Sequence, residues 1–143
     1  MICTVDRQFE IIDHTSDVGI IAYGLDQAEL LANAARGMFS LMADLKEIET
    51  DSSKIIELDE QDNIALLVEW LNELIYIFDM EHFVFKEFDI DVKIGRRLKA
   101  TCYGGKLDVK IHKVKCQIKA ATYHNLSIVK ENGIYSARII FDI

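Results

Sequence analysis

Apolar residues follow two periods along this chain, and the switch between them organises the sequence. Over 7–12 and 18–23 they make two short runs of strand composition, with Gly24 closing the second. From Asp26 the spacing turns helical. Leu30, Leu31, Ala34, Met38, Phe39 and Met42 recur at helical intervals through "AELLANAARGMFSLMA", which lays one apolar stripe along a helix. Asp26 can accept from the free first-turn amides, and Glu29 follows it at the spacing of a capping box. Gly37 costs roughly 1 kcal/mol of helix propensity, which predicts close packing at that point. An acidic, hydroxyl-rich loop over 44–53 and a short strand, "SKIIELDE", lead to a second cap at Asp62. The helix "NIALLVEWLNELIYIFDM" follows, with Ile64, Leu67, Leu71, Leu74 and Phe78 as its buried stripe and Trp70 near the stripe's edge. Aromatic residues beside such a seam read as core, not as a cofactor box.

After His82 the period falls to two. "FVFKEFDIDVKI" alternates, "GR" turns, "RLKATCYGG" runs back, and "LDVKIHKVKCQIKAATYH" continues the strand pattern. Asn132-Gly133, between "LSIVKE" and "IYSARIIFDI", is a strong hairpin signal. These elements predict an α+β fold: one domain over 1–143, a mostly antiparallel or mixed β-sheet, and two α-helices packed on one face.

Composition narrows the class. The 143 residues are half apolar and 28% charged, the balance of a soluble domain large enough to bury a core. Nothing near Met1 reads as a signal peptide, and the apolar-rich stretch 64–78 is broken by Glu69, Asn72 and Glu73, too short and polar to span a membrane. Cys3, Cys102 and Cys116 are odd in number and lack CxxC spacing, which points to a reducing cytoplasm. The net charge of −8 argues against a general nucleic-acid binder. Over 93–119, however, nine Lys or Arg residues face a single acid, Asp108. Such a split can steer a partner of opposite pattern, or it can be lysines guarding a sheet face against edge association.

Three stretches carry candidate chemistry. In the loop after the first strand, Asp13-His14-Thr15-Ser16-Asp17 offers a carboxylate beside an imidazole, suited to a cation or a base; the same residues can form a turn that satisfies its own amides. In "IKAATYH", Lys119 with Tyr123 and His124 can anchor a carboxylate, or Lys119 can be the solvent-facing member of a strand. In the closing "IIFDI", the Asp142 side chain and the α-carboxylate of Ile143 make half a hard-cation site, unless the end frays. His82 and His112 stand alone and read as structural or solvated. No Gly-rich phosphate loop, GxSxG or HExxH is present.

Taken together and in order, "HTSDVGIIAYG", "LLVEWLNELIYIFD", "IKAATYH" and "IIFDI" resemble the archease family over nearly the whole chain. The resemblance implies an accessory protein, not an enzyme. It would activate an RtcB-type RNA ligase that joins tRNA halves after intron removal, promoting guanylylation of the ligase's histidine, sustaining turnover and broadening nucleotide use. Carried over, the family's cation site falls on Asp17, Asp142 and Ile143, with Lys119, and beside it His14, at positions tied to activation. All-oxygen ligation suits calcium first, with manganese or magnesium as alternatives. The implied partner is the ligase in the cytoplasm, with RNA reached only through it and no membrane. One departure is visible: where the family often reads Gly-Glu, this chain reads Gly104-Gly105-Lys106. Two other functions are compatible with the residues: a stand-alone metal-dependent hydrolase of RNA or nucleotide using Asp17 with His14 as base, and a general chaperone-like binder, which would expose an apolar patch.

Overall fold

The computed structural model describes residues 7–13, 18–108, 110 and 112–143. In chain order the elements are β1 (Phe9–Asp13), β2 (Val18–Gly24), α1 (Gln27–Met42), a 3-10 turn (Leu45–Glu47), β3 (Ser52–Asp59), α2 (Asn63–Glu81), β4 (Phe83–Lys93), β5 (Arg97–Lys106), β6 (Ala120–Ala121), β7 (Ile128–Glu131) and β8 (Ile134–Asp142). The α+β expectation holds, with all strand pairs antiparallel and the strands divided between two sheets. The first sheet runs β1-β2-β8. The far edge of β8 is shared, β7 pairing with its first half and β6 with its last residues. The second sheet runs β3-β5-β4.

Both helices start where their caps predict. Asp26 Oδ1 accepts from Glu29 N at 2.8 Å, and Asp62 Oδ1 accepts from Ala65 N at 2.8 Å. Glu29 reaches back to Leu25 N at 2.8 Å, one residue beyond the capping-box position. The first turn of α1 rests directly on the end of β2, since a Cβ on Gly24 would lie 2.3 Å from Leu30 N. Gly37 provides the close packing its propensity cost implied: a Cβ there would come within 2.9 Å of Ile20 and 3.0 Å of Phe9. His82 ends α2 in the left-handed region, φ 62°, its N–H bonded to Phe78 O at 2.8 Å, so this isolated histidine is a helix cap.

α1 packs against β2 of one sheet and β4 of the other, so both sheets share one core. Trp70 belongs to that core. It is fully buried rather than at the edge of a stripe, its indole N–H donates to Leu31 O at 2.9 Å, and its ring meets Phe88 edge-on at 5.8 Å. Ile64, by contrast, is only half-buried. No described helix is long and apolar enough to cross a membrane.

Two other expectations are corrected. The stretch 107–124 contributes only the two residues of β6 to a sheet; before them the chain runs as a strap along the end of α1. There Ala43 bridges Val114 and Lys115 N donates to Met42 O at 2.8 Å, and the chain meets the edge of β8 only from Lys119 on among the described residues. In the β4–β5 hairpin the turn is centred on Ile94-Gly95 rather than on Gly95-Arg96, with φ 49° and 72° and Arg96 N bonded to Lys93 O at 3.3 Å. Gly104-Gly105 lies within β5, not in a turn. A Cβ on Gly104 would meet Val84 O at 1.9 Å and one on Gly105 would meet Glu49 O at 2.2 Å, so close backbone approach accounts for both.

Candidate functional site

The two downstream motifs meet at the end of β8. Asp142 is the last residue of that strand, opposite Ala120 of β6, and Lys119 N donates to Asp142 O at 2.8 Å. One step on, Thr122 binds Ile140 O twice, through its N–H at 3.0 Å and its hydroxyl at 2.9 Å. α2 closes the other side. Asn72 Oδ1 accepts from Ala121 N at 2.8 Å, and its Nδ2 lies 3.5 Å from Ala121 O. A two-residue strand has little cohesion of its own, so this side-chain amide, together with β8, fixes where Lys119 and Tyr123 leave the sheet.

Asn72 was not singled out from the sequence as a site residue. Its signal was there: an amide inside an apolar helical run must find partners for two donors and an acceptor.

Lys119 and Asp142 are both exposed, and Ile143 is 46% exposed. Among the described residues, neither the Asp142 carboxylate nor the Lys119 ammonium has an ion-pair partner. On the other side of β8, Val18 is registered opposite Phe141. Val18 follows Asp17 in the sequence and Phe141 precedes Asp142. His14, Thr15, Ser16 and Asp17 lie outside the described residues, as does Cys3.

The surroundings are acidic. Tyr123, 56% exposed, has its phenol held above the ordinary range, first by partial burial and then by the carboxylates of Glu69, Glu60 and Asp62 around the start of α2. His124 N approaches Thr122 Oγ1 at 3.4 Å, and its ring contacts the Asn125 amide at 3.3 Å. The carboxylates and hydroxyls here offer hard oxygen ligands, with the His124 imidazole as the nitrogen ligand beside them. Soft ligands are elsewhere: Cys102 is buried in the core, which pushes its thiol up to about 12. His112 accepts from Asp108 N through Nδ1 at 2.9 Å and serves a local turn. Among the described residues, no three His, Cys, Asp or Glu side chains group to hold a metal. The Asp142 carboxylate is an oxygen ligand of the kind a divalent cation takes, and a single carboxylate is not by itself a site.

Comparison with known proteins gives this end of the sheet a context. The model of the Archease protein family (MTH1598/TM1083) matches residues 9–143. Protein archease of Methanosarcina barkeri is 38% identical over 141 residues, covering 96% of this chain and 97% of its own length. Its namesake in Methanothermobacter thermautotrophicus is 35% identical over 140 residues, covering 96% and 99%. The fold is similar to the solution structure of Methanobacterium thermoautotrophicum protein 1598, with a TM-score of 0.81 and 34% identity over 95% of this chain and 99% of that one. The crystal structure of an archease, possible chaperone, from Thermotoga maritima superposes with a TM-score of 0.63 at 22% identity, covering 92% and 94%, a likeness of fold alone.

Proposed function

Because the chain belongs to the archease family, we propose that it is an accessory protein that activates an RtcB-type tRNA-splicing RNA ligase in the cytoplasm. It promotes guanylylation of the ligase and repeated turnover, and it broadens the ligase's nucleotide use. The reading is supported most directly by the pairing of β6 with β8, where Lys119 stands beside Asp142.

In this reading Asp17, Asp142 and the α-carboxylate of Ile143, the last residue of this sequence, hold a divalent cation, calcium first. When bound, such a cation supplies charge neutralisation for a nucleotide triphosphate. The chain's own contributions are separable. Asp142 and Ile143 present carboxylates to solvent from a strand held on both sides. Lys119, whose backbone is bonded to that of Asp142, supplies a positive charge for an anionic group of the partner or its nucleotide. Glu60, Asp62 and Glu69 make the surroundings of Tyr123 negative, a field that draws cations to this end of the molecule. RNA enters this scheme only through the ligase.

A general chaperone would expose a contiguous apolar patch. The large apolar side chains exposed among the described residues are Ile11 on β1, Ile55 on β3, Tyr76 and Met80 on α2, Tyr103 on β5, Val129 on β7, Ile134 on β8, and Leu25, Ile94, Val114, Tyr123 and Ile143 outside these elements.

The deciding experiment is a guanylylation assay with the cognate ligase. Substoichiometric amounts of this protein are expected to raise the rate, while the protein alone neither joins nor cleaves RNA. A flat titration refutes the proposal.

A further inference from the structure

The basic stretch 93–119 is not one feature but two. In its first part three of the four cations pair with β3: Arg96 with Asp59 at 2.5 Å, Arg97 with the same carboxylate at 3.2 Å, and Lys99 with Glu57 at 3.8 Å. Its second part consists of Lys106, Lys110, Lys113, Lys115 and Lys119. All five are exposed, and none has a carboxylate within 4.0 Å among the described residues. Lys106 closes β5, a central strand, and the other four lie on the strap, which borders a helix end, so edge protection does not account for them.

The strap is nevertheless extended and periodic. Ile118 is buried and Cys116 half-buried, whereas Lys113, Lys115, Gln117 and Lys119 are exposed, so three ammonium groups occupy one side of the chain. Alternate residues of an extended chain stand about 6.6 Å apart, a step of the same order as that between successive phosphates on a nucleic-acid strand. The strap is also anchored. Lys115 Nζ donates to Ser40 O at 2.9 Å, a carbonyl near the C-terminus of α1, where a positive charge is favoured.

We propose that this strap binds the phosphate backbone of an RNA strand directly, an interaction beyond the ligase reading, in which RNA is reached only through the partner. Two observations favour RNA over an acidic protein. Protein interfaces are depleted in Lys and rely on aromatic, Met and Arg anchors, but the strap contains no Arg, and among its described residues the large exposed apolar side chain is Val114, at 37%. Lysine is a flexible point charge that needs no bidentate geometry, which suits backbone contact without base readout. The net charge of −8 confines the contact to the strap and keeps it weak.

The test needs no ligase, so its failure is distinct from failure of the guanylylation assay. Fluorescence anisotropy of a labelled oligouridylate is followed against salt for the wild type, for a Lys106→Gln/Lys110→Gln/Lys113→Gln variant and for the matching Lys→Arg variant. Five contacts at about 0.7 counterion each give a log–log slope of about −3.5, roughly a 100-fold loss of affinity between about 50 and 200 mM salt. The Gln variant should retain the wild-type melting curve but show a slope of about −1.4, a loss of roughly 7-fold over the same range, whereas the Arg variant keeps the full slope. No binding at low salt, or an unchanged slope in the Gln variant, overturns the proposal. So does loss of ligase association by the Gln variant with RNA binding intact, which would make the strap a protein-docking surface.

Discussion

Ile94 is where this chain pays most visibly for its local geometry. It occupies the first central position of the β4–β5 turn with φ 49°, followed by Gly95 at φ 72°. The same sign pattern recurs in the β7–β8 hairpin, where Asn132 and Gly133 have φ 54° and 78°. Positive φ at both central residues is the mark of the primed turn that matches strand twist, and Asn-Gly is its preferred sequence. A left-handed L-residue costs roughly 1–2 kcal/mol, with β-branched residues the least tolerant. Packing returns little of this, because Ile94 is 72% exposed. If full burial of an Ile is worth about 1.5–3 kcal/mol, the covered quarter returns roughly 0.5 kcal/mol. Ile94→Asn should therefore stabilise the protein by about 0.5–1 kcal/mol, a rise of about 2–3 °C in Tm. The reciprocal change, Asn132→Ile, should cost about 1–2 kcal/mol. Thermal and urea melts of both variants measure this. A neutral or destabilised Ile94→Asn alongside a harmless Asn132→Ile would refute the reasoning, since the two turns would then not share the same backbone demand.

Other expectations follow from the site and the core. Asn72→Ala removes the clamp on Ala121 and leaves its N–H unpaired, so stability should fall by about 1–2 kcal/mol and ligase activation should fall with it; full activation would detach Asn72 from the placement of Lys119. Asp142→Asn, Asp17→Ala and a C-terminal tag that converts the Ile143 carboxylate to an amide should each weaken calcium and manganese binding in isothermal titration, with only small changes in Tm; equal affinity in the tagged and untagged proteins would remove Ile143 from the ligand set. Cys102, raised to about 12 from an ordinary 9.0 by burial, contributes stability that is complete below pH 9 and lost as pH rises toward 12, because the unfolded chain gives up its thiol proton first. The Tm difference between wild type and Cys102→Ala should accordingly shrink across that window, and a constant difference would contradict it.

Much of the fold was legible because its signals are local. Asp26 and Asp62 cap the helices they precede, Asn132-Gly133 makes its hairpin, and the stripe from Leu30 to Met42 is buried throughout. The misreadings share a cause. Alternation over 107–119 reports an extended chain with one covered side, and it does not say whether a strand edge or a helix end provides the cover. Here the far edge of β8 is taken by β7 and β6, so the strap turned to Met42 and Ala43. Trp70 was assigned to an edge on the assumption of a helix with one buried face; packed between Leu31 of α1 and Phe88 of β4, α2 buries more than one stripe. At the site, Lys119 and Asp142 could each be nominated from sequence. Their adjacency depends on which strand lies beside β8, a pairing across 22 residues of chain that no local pattern encodes.

The central place of β8 has a consequence for how the molecule comes into being. β2 finds its partner more than a hundred residues downstream, so the first hairpin to leave the ribosome has no sheet to join. A two-stranded ribbon alone is marginal in water, whereas β4 and β5 are neighbours in sequence and β3 joins them across α2. The second sheet can thus consolidate while synthesis continues, and the first sheet condenses when β8 arrives. High sequence separation makes that final step the slow one, and until it occurs the β1–β2 hairpin is an unpaired edge exposed to neighbouring chains. A nascent chain that stalls before Ile134 would keep a folded half and a sticky half. Lys119 would have no Asp142 carbonyl to bond.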